Sequence, residues 1–171
     1  MAVAHTRRPV VVDANIIINL IHADRLTLLG KIPGYDFIVP EDVMDEIVDP
    51  AQRAQLDRAV EDGRIRVTTI TEPDDLNRYA EFRRALGRGE AACLVIATRN
   101  GWTIASDEKG RFQREAMAAV GAGHIMNTTG LFVLAIRAAL ISIDEADQAK
   151  AILEQHRFRL PFDSFRDVIA R

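Results

Sequence analysis

Disulfides, thiolate metal sites, membrane spans and a basic surplus are all missing from this sequence. Cys93 is the one cysteine in 171 residues, so no internal disulfide can close and the chain suits a reducing compartment. No apolar run is long enough to cross a bilayer; the richest later stretch, Leu131 to Ile143, is broken by Arg137. Within Met1 to Arg8, Arg7 and Arg8 precede an apolar run that Asp13, Asn15 and Asn19 interrupt, which leaves no secretion-signal core. A soluble, cytoplasmic protein with no membrane partner is expected. With 22 Lys and Arg against 25 Asp and Glu, the net charge of −3 gives no overall field for a polyanion, so any nucleic-acid partner must meet a local patch. His5, His22, His124 and His156 lie at no zinc-binding spacing. The length suits one domain over 1–171, and 48% hydrophobic with 27% charged residues places it among globular proteins.

Short apolar strands separated by helical segments fill the rest. Pro9-Val10-Val11-Val12 is a β-branched run behind a proline, hence a buried strand, and it stops at Asp13. Ile16 to Ile21 follows as an apolar helix, and Tyr35 to Val39, closed by Pro40, is a second strand. Glu41 to Val48 reads as a helix with Val43, Met44, Ile47 and Val48 on its buried face and Asp45 and Glu46 on its edges. Ala51 to Glu61 is helical, Ile65 to Ile70 alternates into a third strand, and Glu72-Pro73 opens a polar helix towards Leu86. Gly87-Arg88-Gly89 interrupts the pattern before Glu90 to Thr98, a helix apolar almost all round and therefore buried. Trp102 to Ser106 is a strand ending on Asp107, Glu108 to Ala119 an amphipathic helix, and His124 to Met126 a last short strand. Two helices follow, the first striped by Leu131, Leu134, Ala138 and Ile141, the second spanning Glu145 to Gln155. The alternation predicts an α/β fold, a parallel sheet of four or five short strands flanked by helices on both faces. The tail, 156–171, alternates apolar residues from Phe158 to Phe165 and is expected to pack on the core or on a partner.

Asp13 and Asp107 each end a strand, and in open α/β sheets that edge is where ligands bind. If the two strands are neighbours, their carboxylates are close. Glu90 stands in the first turn of its helix, where the dipole favours a negative charge. From the helix after the second strand either Asp45 or Glu46 qualifies, and periodicity does not choose. Taken singly, each acid is a cap or a solvated side chain. Gathered at one buried edge, they repel and take up protons unless a cation neutralises them. All-oxygen ligands suit a hard divalent ion, so Mg2+ or Mn2+ is the expected cofactor, able to activate water beside a phosphoryl group. Lys109, Arg111 and Arg114 follow Asp107 and, with Arg88 across the cleft, either bind backbone phosphates or form solvated helix faces. Gly87-x-Gly89-x-x-Ala92 imitates a dinucleotide fingerprint, but a helix precedes it where a strand is required. Asp13-Ala14-Asn15 is also similar to the start of an aspartyl phosphatase, yet Asn15 lacks the acid such an enzyme needs there.

Four segments together resemble the PIN-domain ribonucleases, and among them the VapC-type toxins of toxin–antitoxin pairs. They are Val10-Val11-Val12-Asp13-Ala14-Asn15, Val39-Pro40 through Glu46-Ile47, Gly87-Arg88-Gly89-Glu90-Ala91-Ala92, and Ile104-Ala105-Ser106-Asp107-Glu108. The resemblance implies a magnesium-dependent endoribonuclease acting on RNA, with Asp13, Glu46, Glu90 and Asp107 as catalytic metal ligands and Asn15 and Ser106 holding ligand or water. It favours Glu46 over Asp45, and it implies an antitoxin partner and commonly a homodimer. One position departs from the pattern: many members carry an aspartate where this chain has Ala92. Either the longer Glu90 side chain takes that place, or the site is weakened. The alternative expectation is a non-catalytic RNA- or protein-binding module on the same scaffold.

Overall fold

Val10, Val11 and Val12 are all fully buried, and burial of consecutive residues means that both faces of their strand are covered, as a central parallel strand requires. The structure is a computed structural model that describes residues 6–171; His5 and residues 1–5 of the segment read for a secretion signal lie outside the described residues. The strands β1 (Arg8–Val12), β2 (Tyr35–Pro40), β3 (Arg66–Thr68), β4 (Thr103–Ala105) and β5 (Ile125–Met126) form one sheet in the order β3-β2-β1-β4-β5, parallel throughout. The expected α/β architecture is what the chain adopts.

The helix α1 (Ala14–His22) follows β1, and α2 (Glu41–Glu46) and α3 (Pro50–Glu61) join β2 to β3. Between β3 and β4 come α4 (Pro73–Phe82) and α5 (Arg88–Asn100); α6 (Gly110–Val120) leads to β5. The chain finishes with α7 (Thr128–Arg137), α8 (Ile143–Gln155) and α9 (Phe165–Ile169). Every residue of α5 from Ala91 to Ala97 is buried, and the helix packs on β1, β2 and β4 as well as on α2, α4 and α6. It ends at Gly101, whose φ of 66° is the left-handed cap that glycine adopts without a Cβ penalty. From β1 the chain runs outward to β2 and β3, then returns to the other side of β1 at β4. The order therefore reverses between β1 and β4, where Val12 stands beside Ala105. Among the described residues, no helix is long and apolar enough to cross a membrane.

Several boundaries differ from the sequence pattern. α2 stops at Glu46 and Val48 is 83% exposed, because Pro50 at the start of α3 forces Asp49 into an extended conformation. The third strand shrinks to an outer edge of three residues, on which Val67 stays 37% exposed in place of the expected alternation. α4 ends at Phe82, short of Leu86, and Glu108 and Lys109 remain in the loop before α6. On α7 the buried face is Leu131, Phe132 and Ala135, while Leu134 and Ala138 are half-buried.

The tail keeps its alternation of burial from Phe158 to Asp163 and gives it up only where α9 begins. Ser164 caps α9, and the Asp147 carboxylate on α8 accepts from the Phe165 amide at 2.8 Å and the Ser164 hydroxyl at 2.6 Å. Phe165 is fully buried, 5.5 Å from the Phe132 ring and edge-on to Phe162 at 4.9 Å. Truncating it leaves a ring-sized hole. Phe165→Ala is therefore expected to lower unfolding free energy by about 3–5 kcal/mol in urea titrations; a loss under about 1 kcal/mol, the size of an ordinary surface change, would mean that the tail contributes little to the core.

Candidate active site

The last rung between β1 and β4 is the Asp13 amide donating to the Ala105 carbonyl at 3.0 Å, so Asp13 and Ser106 leave the sheet side by side. Asp13 is only 3% exposed. One of its oxygens, Oδ1, accepts from the Ala14 amide at 2.8 Å and so caps α1. The other accepts from the Ser106 hydroxyl at 2.9 Å and from the Asn15 amide group at 3.3 Å. Asn15 also ties the two strand ends together: its carbonyl accepts from the Asp107 amide at 3.2 Å, and its NH2 donates to Glu108 at 3.1 Å.

A second wall comes from the start of α5 against α2. The Gly89 amide donates to Glu46 Oε1 at 2.7 Å, and the Gly87 amide to Glu90 Oε2 at 2.9 Å. A β-carbon on Gly89 would stand 2.7 Å from Glu46 Oε2 and 3.0 Å from a Val43 methyl, so glycine is what lets the Glu46 carboxylate lie against the helix. A β-carbon on Gly87 would lie 3.6 Å from Glu90 Oε2 and 3.8 Å from Glu46 Oε1. Both carboxylates thus overhang the same glycine. Asp45, the other candidate on α2, is turned outward to Arg88 at 3.4 Å.

Burial raises the Asp13 carboxyl from its ordinary 3.8 to about 7; the negative charges of Glu46 and Glu90 push in the same direction, and the bonds from Ala14 and Ser106 oppose them. Asp107 is raised as well, first by burial, although its carboxylate accepts from the Thr128 amide at 2.9 Å, from the Thr128 hydroxyl and from Asn19 at 3.0 Å. The fold therefore brings Asp13, Glu46 and Glu90 into one another's field. It leaves Asp107 at the same sheet edge but turned towards Thr128 and Asn19.

A family model for the PIN domain matches residues 9–171. This chain belongs to the PIN-domain family. No curated protein matches it. PIN domains are generally nucleases.

In this PIN domain the acids as they stand do not form a finished ligand set: among the described residues, no three His, Cys, Asp or Glu side chains are grouped so as to hold a metal ion. Backbone amides hold Glu46 and Glu90 back, and Thr128 holds Asp107. The donor chemistry nonetheless fits a hard cation. Asp13, Glu46 and Glu90 offer oxygen alone, and among the described residues none of them is paired with a lysine or arginine. The basic residues expected to line the cleft divide. Arg88 is bound to Asp42 at 3.3 Å and to Asp45, and Arg111 lies 3.9 Å from Glu115. Lys109 forms no ion pair among the described residues. Asn19 and Thr128, the partners of Asp107, are not among the residues that the sequence singles out for that role. A signal existed for the first: Asn15 and Asn19 stand one turn apart in an otherwise apolar helix.

Without divalent ions, Asp13 makes stability depend on pH. Below about pH 4 it is protonated both folded and unfolded and costs nothing. Between there and about pH 7 the unfolded chain ionises while the folded one keeps its proton, so stability falls, by roughly 4 kcal/mol at about 1.4 kcal/mol per tenfold. Urea titrations in chelator from pH 5 to 8 are expected to show wild type losing stability relative to Asp13→Asn; parallel curves would mean that the carboxylate carries no such penalty.

Proposed function

We propose that this PIN domain, spanning 1–171 with 156–171 packed on its core, is an endoribonuclease that hydrolyses RNA phosphodiester bonds with the help of Mg2+ or Mn2+. Asp13, Glu46, Glu90 and Asp107 are its catalytic acids in this reading. The observation that carries it is a carboxylate buried at the strand-reversal point, within the field of two more carboxylates, none of the three paired with a lysine or arginine among the described residues. Asp13, Glu46 and Glu90 would hold the cation, which when bound supplies an activated water and stabilises charge developing on the phosphoryl oxygens. The chain's own groups prepare the place. Ser106 and Asn15 fix the orientation of Asp13, the Gly87 and Gly89 amides fix Glu90 and Glu46, and burial excludes bulk water from the Asp13 side. Asp107 stands just beyond the end of β4, and Lys109 follows it with an ammonium to meet a backbone phosphate. Arg88 and Arg111 serve the same phosphates only by exchanging their present carboxylate partners.

Within this reading the chain acts in the cytoplasm as the toxin of a toxin–antitoxin pair, with an antitoxin protein and a second copy of itself as partners. Support comes from the four segments that resemble that group and from the lone, buried Cys93, which suits a reducing compartment. The second reading is a non-catalytic RNA- or protein-binding module. It is favoured by the fully buried Ala92 in place of an acid and by the dispersed carboxylates.

Incubation of purified protein with labelled RNA and Mg2+ or Mn2+ is expected to give cleavage that Asp13→Asn reduces by about a hundredfold or more. Wild type that cuts no RNA with either ion, or cuts equally well after the substitution, would sink the nuclease reading. RNA binding without calorimetric uptake of either ion would favour the binding module. Gly89→Ala is a gentler probe, because the added methyl meets the Glu46 carboxylate while alanine suits a helix better by about 1 kcal/mol. It is expected to leave unfolding stability within about 1 kcal/mol and to raise the ion concentration needed for half-maximal cleavage. An unchanged requirement would remove Glu46 from the ligand set.

A further inference from the structure

The crevice does not end at the acids. Ser106 and Asp107 also line a cavity of about 580 Å³, inside the roughly 300–1,000 Å³ range of ligand sites, whose far wall is the segment between α8 and α9. Phe158, Arg159 and Phe162 of that segment line the cavity together with Lys109 on the loop after β4. Both phenylalanines are half-buried, and both cations are exposed. Unlike Arg88 and Arg111, neither Lys109 nor Arg159 forms an ion pair among the described residues. The lining also holds three acids, Asp107, Glu108 and Asp167, which Lys109, Arg159 and Arg171 match in number.

Aromatic surface beside uncommitted cations is what a nucleotide needs, a flat face for its base and charge for its phosphate. A polynucleotide lying across Asp13 must place a neighbouring nucleotide in the space that adjoins Ser106 and Asp107. Bases can enter such a space only when unstacked, as in single strands and loops. We propose that this cavity is a nucleotide subsite for single-stranded RNA, with Phe158 and Phe162 taking a base and Lys109 and Arg159 the phosphate next to the scissile bond. The proposal rests on the ribonuclease reading for its substrate, and its test separates the two.

The test is fluorescence anisotropy of the full chain in chelator with a short labelled oligouridylate. The double variant Lys109→Ala/Arg159→Ala is expected to bind about tenfold or more weakly, and the slope of log affinity against log salt to fall by about 1.4, two contacts at about 0.7 each. Phe158→Leu is expected to weaken binding several-fold with the slope kept, and an abasic oligonucleotide to bind wild type as weakly as oligouridylate binds this variant. The abasic comparison needs no substitution, so it stands even where Phe158→Leu unfolds. Wild-type affinity and slope in the double variant, or equal binding of abasic and oligouridylate chains to wild type, would overturn the subsite. So would a polyglutamate peptide that binds more tightly than RNA through the same two cations, which would make the cavity a protein-docking site. Binding that depends on Lys109 and Arg159, in a protein that cuts no RNA with Mg2+ or Mn2+, supports the subsite and sinks the ribonuclease reading. Asp13-dependent cleavage that the double variant leaves unchanged does the reverse.

Discussion

Burying a carboxylate beside two others costs free energy unless something returns it, and much of this molecule is arranged around that cost. Asp13 is held by the Ala14 amide, the Ser106 hydroxyl and the Asn15 side chain, yet burial and the nearby Glu46 and Glu90 still raise its proton affinity. These contacts exist because β1 lies in the middle of the sheet and β4 beside it, which puts Ser106 within reach of a residue 93 positions away. A site of this kind is expected to cost stability, and proteins keep such sites where function needs them.

In the four acids, bonding to a backbone amide does not use up the whole carboxylate. Asp13 caps α1, Glu46 and Glu90 accept from amides at the start of α5, and Asp107 accepts from the first amide of α7. An ionised carboxylate has two oxygens and about four lone-pair positions, so one backbone bond orients it and leaves acceptor capacity over. Glu46 and Glu90 have that capacity spare, while Asp13 has less, because Ala14, Ser106 and Asn15 occupy both of its oxygens. Asp107 is in the same position as Asp13, because Thr128 and Asn19 occupy both of its oxygens. The glycines at 87 and 89 matter for the same reason, since a side chain on Gly89 would occupy the space that the Glu46 carboxylate fills.

Cations are distributed just as unevenly. The net charge of −3 offers no general attraction for a polyanion, and many basic side chains are already neutralised: Arg99 by the buried Asp75, Arg66 by Asp36, Arg53 by Asp57 at 2.9 Å. Any affinity for phosphate then falls to cations without a partner near the sheet edge, which makes their placement more telling than their number.

Much of this was legible in advance. The Val10–Val12 run, the carboxylates that end β1 and β4, and the glycine break before a buried helix each follow from local rules, because apolar period and backbone-permissive residues record which side of an element is covered. Such rules carry no information about which element does the covering. That β4 lies next to β1, that Glu46 rather than Asp45 faces α5, that Asp107 turns to Thr128, and that His22 stacks on His156 at 3.7 Å all depend on contacts between distant parts of the chain. Val48 makes the limit plain, since it keeps the helical spacing of Val43 and Ile47 but is exposed once Pro50 ends the helix early. The sequence alone determined the α/β class and the set of candidate acids. Only the tertiary structure decided which of them share a field and which cations remain uncommitted, because electrostatics depends on distance in space and not on position along the chain.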